Sequence, residues 1–264
     1  MTNILYYHVD AFAERPFTGN QAAVMPLDAW LPDDVLQAIA AENNFAETAF
    51  IVPDATGASD YELRWFTPTL EIRLCGHATL ASGHIVLGQN PQKDRVTFRT
   101  QLAGVLEVRR EGDGYAVALP AIASDEVHIP EMLTAMGGVP VSMRRNPDHY
   151  NLFIYATADD VRALTPDLKA LAAMGQDSFT ATAPGTDTDI ISRVFVPGAG
   201  VDEDPVTGSA HAVLTPYWAN VLGRDRFTAY QASARGGHVG CRLDGDRVWL
   251  SGGCVTVVEG VFHI

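Results

Sequence analysis

The chain is short of cysteine, of positive charge and of long apolar runs, and each shortage closes off a class of answers. Three cysteines occur in 264 residues, Cys75, Cys241 and Cys254, with no C-x-x-C pair and no secretory-type start. A disulfide framework is not expected, and the reading is a reducing, cytoplasmic compartment. Lys and Arg number 18 against 32 Asp and Glu, a net charge of -14. No basic cluster reverses that field locally, so nucleic acid is excluded as an expected partner. No window approaches the roughly 18 apolar residues of a membrane span, and none is expected. Dinucleotide fingerprints, phosphate loops and His/Cys/carboxylate sets with metal-ligand spacing are also missing, so the expectation is no cofactor and no metal.

What is present is a repeat. RWFTP followed by CGHA returns as RVFVP followed by TGSA; Arg64 and Arg193 are 129 residues apart and Gly76 and Gly208 are 132 apart, close to half of 264. A third echo aligns Phe45–Ala49 with Phe179–Ala183, which sets Glu47 against Ala181 and leaves the second copy without a carboxylate. Spacing of this kind points to two similar lobes, residues 1–122 and 123–264, joined by a crossing near residues 122–130. The pattern predicts strands over residues 4–12, 48–52, 61–67, 95–100, 104–110, 115–120 and 151–156, and four more after residue 224. It predicts helices over 32–42, 80–87 (closed by Gly88), 130–136 and 159–174. A last helix after Gly208 would bury Ala210, Val213, Leu214, Tyr217, Val221 and Leu222 and end at Gly223.

The candidate chemistry gathers at the two glycines. A helix that starts at glycine leaves backbone N–H groups aimed along its axis, a ready site for a carboxylate or an enolate oxygen. Gly76 and Gly208 both stand at such starts, and matched lobes would aim both at one cleft. Glu47 lies in the apolar stretch NFAETAFIV, where partial desolvation suits a general base. His77 could carry protons near neutral pH and Ser209 could donate a hydrogen bond. Asp204, in DEDPVTGS, is singled out by its position just before Gly208. Cys75 and Thr207 precede the two glycines; two thiols there would suit a two-base racemase, and this chain has one.

VDAFAERPFTGNQAAV, NFAETAFI, RWFTPTLEIRLCGHATLASGH, VDEDPVTGSAHAVL and GGHVGCRL resemble the phenazine-biosynthesis PhzF-like family of isomerases, from the first strand to the last. The resemblance implies the diaminopimelate epimerase-like α+β fold, with two pseudo-symmetric lobes. Each lobe would be a mainly antiparallel, curved, barrel-like sheet around a central helix, and the whole a homodimer. It implies Glu47 as proton shuttle, with Gly76, His77, Asp204 and Ser209 lining the site. Asn20, in the RPFTGNQ loop, is a further expected substrate contact. The expected activity is a cofactor-independent proton shift or epimerisation on a small carboxylate. A Cys75-dependent epimerase or dehydratase of a hydroxylated amino acid, and a non-catalytic binding protein, stand as alternatives.

Overall fold

Runs rich in Val, Ile, Tyr and Phe, punctuated by Gly, Asp and Pro, form strands along the whole chain; the computed structural model describes residues 2–264. In chain order these are β1 (Asn3–Ala11), β2 (Asn20–Pro26), α1 (Asp33–Asn43), β3 (Glu47–Pro53), β4 (Tyr61–Phe66), β5 (Glu71–Ile72), α2 (Gly76–Gln89), β6 (Arg95–Arg99), β7 (Val105–Glu111) and β8 (Gly114–Pro120). There follow β9 (Asp125–Val127), α3 (Pro130–Met136), β10 (Ser142–Arg145), β11 (Tyr150–Ile154), α4 (Ala158–Arg162), α5 (Leu168–Ala172), β12 (Ser178–Pro184) and β13 (Ile190–Val196). The chain closes with β14 (Val201–Asp204), α6 (Gly208–Leu222), β15 (Arg226–Gln231), β16 (Gly237–Asp244), β17 (Arg247–Gly252) and β18 (Cys254–His263).

Contacts divide the chain into two units, residues up to Leu119 with Ser251–Ile264, and Pro120–Leu250. The last strand returns to the first unit because β18 pairs antiparallel with β1 along its length. Both units use one plan. In the first, β2 lies parallel to β3, β3 forms an antiparallel hairpin with β4, and β4 lies parallel to β6 after α2. In the second, β11 lies parallel to β12, β12 pairs antiparallel with β13, and β13 lies parallel to β15 after α6. The β6–β7–β8 and β9–β10–β11 ladders are antiparallel, as are β1–β2, β4–β5, β13–β14 and β15–β16. The architecture is the expected α+β fold.

Each unit encloses one helix. α2 touches β1, β2, β3, β6, β7 and β18, and every residue from Gly76 to Gly83 is buried. A helix covered all round has no polar face, so its periodicity is weak. The predicted helix over 80–87 therefore caught only part of it: α2 starts four residues earlier and runs through Gly88 to Gln89. α1 ends as its sequence suggests, with Asn44 in the left-handed conformation at φ 52° and its N–H on the Ala40 carbonyl.

Four other expectations need correction. The single helix over 159–174 is two short ones, because Pro166 cannot continue the α4 ladder. In α6, Ala210, Val213 and Leu214 are buried, but Tyr217 and Leu222 are half-buried and Val221 is 52% exposed. Residues 122–130 are not a bare crossing; they hold β9, paired with β10. The register also moves the Glu47 correspondence. Phe50 faces Arg64 as Ala181 faces Arg193, so the second-unit counterpart of Glu47 is Ser178, not Ala181. The carboxylate still has no equivalent.

Pro216 inside α6 has no N–H for the carbonyl of Ala212, one turn back. That carbonyl instead accepts the backbone N–H of Ile122 at 3.1 Å. In α2 the tight spot is Gly83, where an added Cβ would lie 2.3 Å from Cγ1 of the buried Val108 on β7. Gly83→Ala is expected to lower unfolding stability by about 1–3 kcal/mol despite the better helix propensity of alanine. Chemical denaturation checks this; an unchanged or higher midpoint would show that β7 yields freely.

Candidate active site

The repeated R-x-F-x-P segment is structural in both units. Arg64 forks onto Glu71 through Nε (2.8 Å) and Nη2 (2.7 Å), reaches Asp33 of α1 at 2.8 Å, and lies over the Phe66 ring at 5.0 Å. Arg193 forks onto Glu203 (2.7 and 3.0 Å), lies over Phe195 at 5.0 Å, and donates to the Leu164 carbonyl beyond α4 at 2.8 Å. Bidentate guanidinium–carboxylate pairs are rigid. Each ties down the segment leading from the hairpin to the buried helix.

At the start of α2 the structure gathers five sequence-selected residues. Glu47 opens β3, Asn20 opens β2, and Cys75, Gly76 and His77 form the turn into the helix. His77 is 3% exposed and Asn20 1%. His77 Nε2 lies 3.0 Å from Glu47 Oε2, a close charge contact that is not well aligned as a hydrogen bond. Its Nδ1 lies 3.2 Å from Asn20 Nδ2 and 3.5 Å from Cys75 Sγ. The Cys75 carbonyl is taken by the Thr79 hydroxyl at 2.5 Å. Glu47, Cys75 and His77 offer donor atoms within 4.8 Å of one another. Sulfur faces one ring nitrogen and carboxylate the other, so the three surround the imidazole rather than converge on one point.

Burial pushes the Cys75 thiol up and the Glu47 charge adds to it, so Cys75 stays a thiol at neutral pH and is poorly suited to act as a base. For His77 burial works downward, but the Glu47 carboxylate 3.0 Å away works upward and holds the imidazole above its ordinary value. With the sulfur protonated, Glu47 is the charge that matters.

The second unit builds its helix start differently. Asp204 ends β14, and Thr207, Gly208 and the half-buried Ser209 lead into α6. Neither α2 nor α6 takes a side-chain cap, since the Thr207 hydroxyl turns back to Asp204 Oδ2 at 2.5 Å. Two residues here escaped the sequence reading. Gln231 is fully buried at the end of β15 and bonds to Thr207 and Asp204. A signal existed: Phe227, Ala229 and Gln231 alternate onto the inward face of RFTAYQ, and a lone amide there needs partners. His211 is also fully buried, its Nδ1 2.8 Å from the Thr207 carbonyl, and burial lowers it to about 4.

The two histidines should therefore behave oppositely. His77, raised on folding, contributes stability that is complete below the ordinary value of 6.5 and is lost as pH rises through its folded value. His211, lowered on folding, makes the protein less stable as pH falls from 6.5 toward about 4. Imidazole NMR at pH 7 should show His77 protonated and His211 neutral, with Glu47→Gln moving the His77 midpoint down. A His77 midpoint at or below 6.5, or one indifferent to Glu47→Gln, would contradict the charge contact.

Among the described residues no helix is long and apolar enough to cross a membrane. A model of the family described as phenazine biosynthesis-like protein matches residues 9–260. An uncharacterized isomerase of Pseudomonas aeruginosa is 44% identical over 257 residues, 97% of each chain. The crystal structure of a phenazine biosynthesis protein of the PhzF family from Enterococcus faecalis matches with a TM-score of 0.91 at 40% identity, covering 100% of both chains. A hydroxyproline epimerase from Agrobacterium vitis, solved with trans-4-hydroxy-L-proline, matches at TM-score 0.62 and 9% identity, covering 98% of this chain and 92% of its own. That last likeness is one of fold alone.

Proposed function

The chain belongs to the phenazine biosynthesis-like family, and from that footing we propose that it moves a proton on a small carboxylate or amino-acid-like metabolite without a cofactor, using Glu47 as general acid and base. Curated relatives are named isomerases, which sets the coarse class. The observation that carries the finer reading is the 3.0 Å approach of Glu47 Oε2 to the buried His77 Nε2.

A largely buried carboxylate beside one buried imidazolium can take a proton from carbon and give it back. Glu47 removes a proton from the carbon next to the substrate carboxylate or a conjugated system. The charge spreads onto oxygen, where the uncapped first turn of α2 from Gly76 supplies N–H donors and the positive end of the helix. Glu47 then returns the proton to a second carbon on the same face. His77 holds Glu47 in place, and Cys75 Sγ lies against the other ring nitrogen. We assign Asp204, Gly208 and Ser209 as further substrate contacts. Positioned acid–base catalysis accounts for about a hundredfold to ten-thousandfold, leaving electrostatic stabilisation to supply the remainder.

Proton NMR in deuterated water with a panel of cyclic and linear amino carboxylates tests this through loss of carbon-bound proton signals. Glu47→Gln is expected to slow exchange by about a hundredfold or more while ligand binding persists, and Cys75→Ser is expected to remain active. Equal loss of binding and exchange in Glu47→Gln, or loss of exchange in Cys75→Ser with Glu47→Gln active, would remove Glu47 from the role.

A further inference from the structure

Gln231, Thr207 and Asp204 form a hydrogen-bond chain whose direction is fixed by donor count alone. The Thr207 backbone N–H can only donate, so the side-chain atom 2.9 Å from it must be Gln231 Oε1. That orients the amide, and Nε2 then faces the Asp204 carbonyl at 2.7 Å, an acceptor, as required. Its second proton points to Thr207 Oγ1 at 3.1 Å. The Thr207 hydroxyl, having accepted from Gln231, has its single proton free for Asp204 Oδ2 at 2.5 Å.

The reverse arrangement, a proton on Asp204 Oδ2 donated to Thr207, would fill both lone pairs of the hydroxyl oxygen and take away the acceptor of its own proton. The three side chains are 0%, 9% and 8% exposed, so water cannot repair that mismatch. Thr207 is saturated elsewhere as well, since its carbonyl accepts from His211 Nδ1 (2.8 Å) and from the His211 backbone N–H (3.2 Å). Glu203, next to Asp204 in β14, is committed to Arg193, and His211 in the first turn of α6 is kept neutral by burial. Among its described residues the first unit has no such relay. One step beyond its parallel Glu62–Arg99 pair the equivalent residue is Thr100, whose hydroxyl goes to the Gly104 carbonyl.

We propose that Gln231 is a positioning residue that acts through Thr207 to keep Asp204 an ionised hydrogen-bond acceptor. Its value to turnover rests on the reading above that Asp204 contacts the substrate. Its existence does not, because the titration of Asp204 can be followed without substrate.

The experiment is carbon-13 NMR of the full-length protein labelled at aspartate carboxyl carbons, with the Asp204 signal assigned by Asp204→Asn. Thr207→Val is expected to raise the Asp204 midpoint by about one pH unit or more, the loss of one hydrogen bond to a charged group. Thr207→Ser should leave it in place, and Gln231→Ala should raise it by a smaller amount. Should Gln231→Ala fail to fold, Thr207→Val against Thr207→Ser carries the test. Folded Thr207→Val with an unmoved midpoint, or a Thr207→Ser midpoint raised as far as that of Thr207→Val, overturns the relay. Deuterium exchange by Asp204→Asn judges the substrate contact separately: full activity there would fail that reading and leave the relay standing.

Discussion

A helix enclosed by its own sheet cannot hand its first turn to water, and much of this protein is organised around that restriction. Backbone groups shut away from solvent must find partners in the chain or in a ligand. At α6 the Thr207 N–H goes to the Gln231 amide oxygen, while no side chain caps the first turn of either α2 or α6. Close enclosure also demands small residues on the helix, as at Gly83 against Val108. The forks of Arg64 on Glu71 and Arg193 on Glu203 fix where each helix begins.

On this shared frame the units differ where chemistry is expected. The first surrounds a buried imidazole with carboxylate, amide and thiol; the second threads an amide and a hydroxyl onto a carboxylate. A duplicated scaffold makes such divergence inexpensive structurally, because the ladder and the arginine fork hold the helix start whatever side chains surround it. Glu47 stands where the other unit has Ser178, so one copy carries a carboxylate there and the other a hydroxyl.

The repeat was legible because its spacing survives insertions: Arg64 with Arg193 and Gly76 with Gly208 mark equivalent points in the folded units. The helix starts and the residues around Glu47 could be read from it. The finer correspondence could not. FAETA and FTATA look alike three residues out of register, and only the pairing of Phe50 with Arg64 and of Ala181 with Arg193 sets them right. Periodicity also passed over Pro166, since Leu and Ala continue the apolar pattern on both sides of a residue that ends the ladder. Gln231 was hidden for another reason. A buried amide shows its importance through its partners, which lie 24 and 27 residues away in sequence.

Pro216 carries a consequence for how α6 assembles. By removing one local bond, it leaves the Ala212 carbonyl to a donor at Ile122, 90 residues earlier in the chain. An interaction normally closed within one helical turn thus becomes a long-range contact, which raises the mean sequence separation that must be bridged during folding. The later half of the helix and the strand-bearing stretch after β8 are thereby made to mature together. Opening either one would expose an unpaired backbone group in the other, which couples their local unfolding into a single cooperative event.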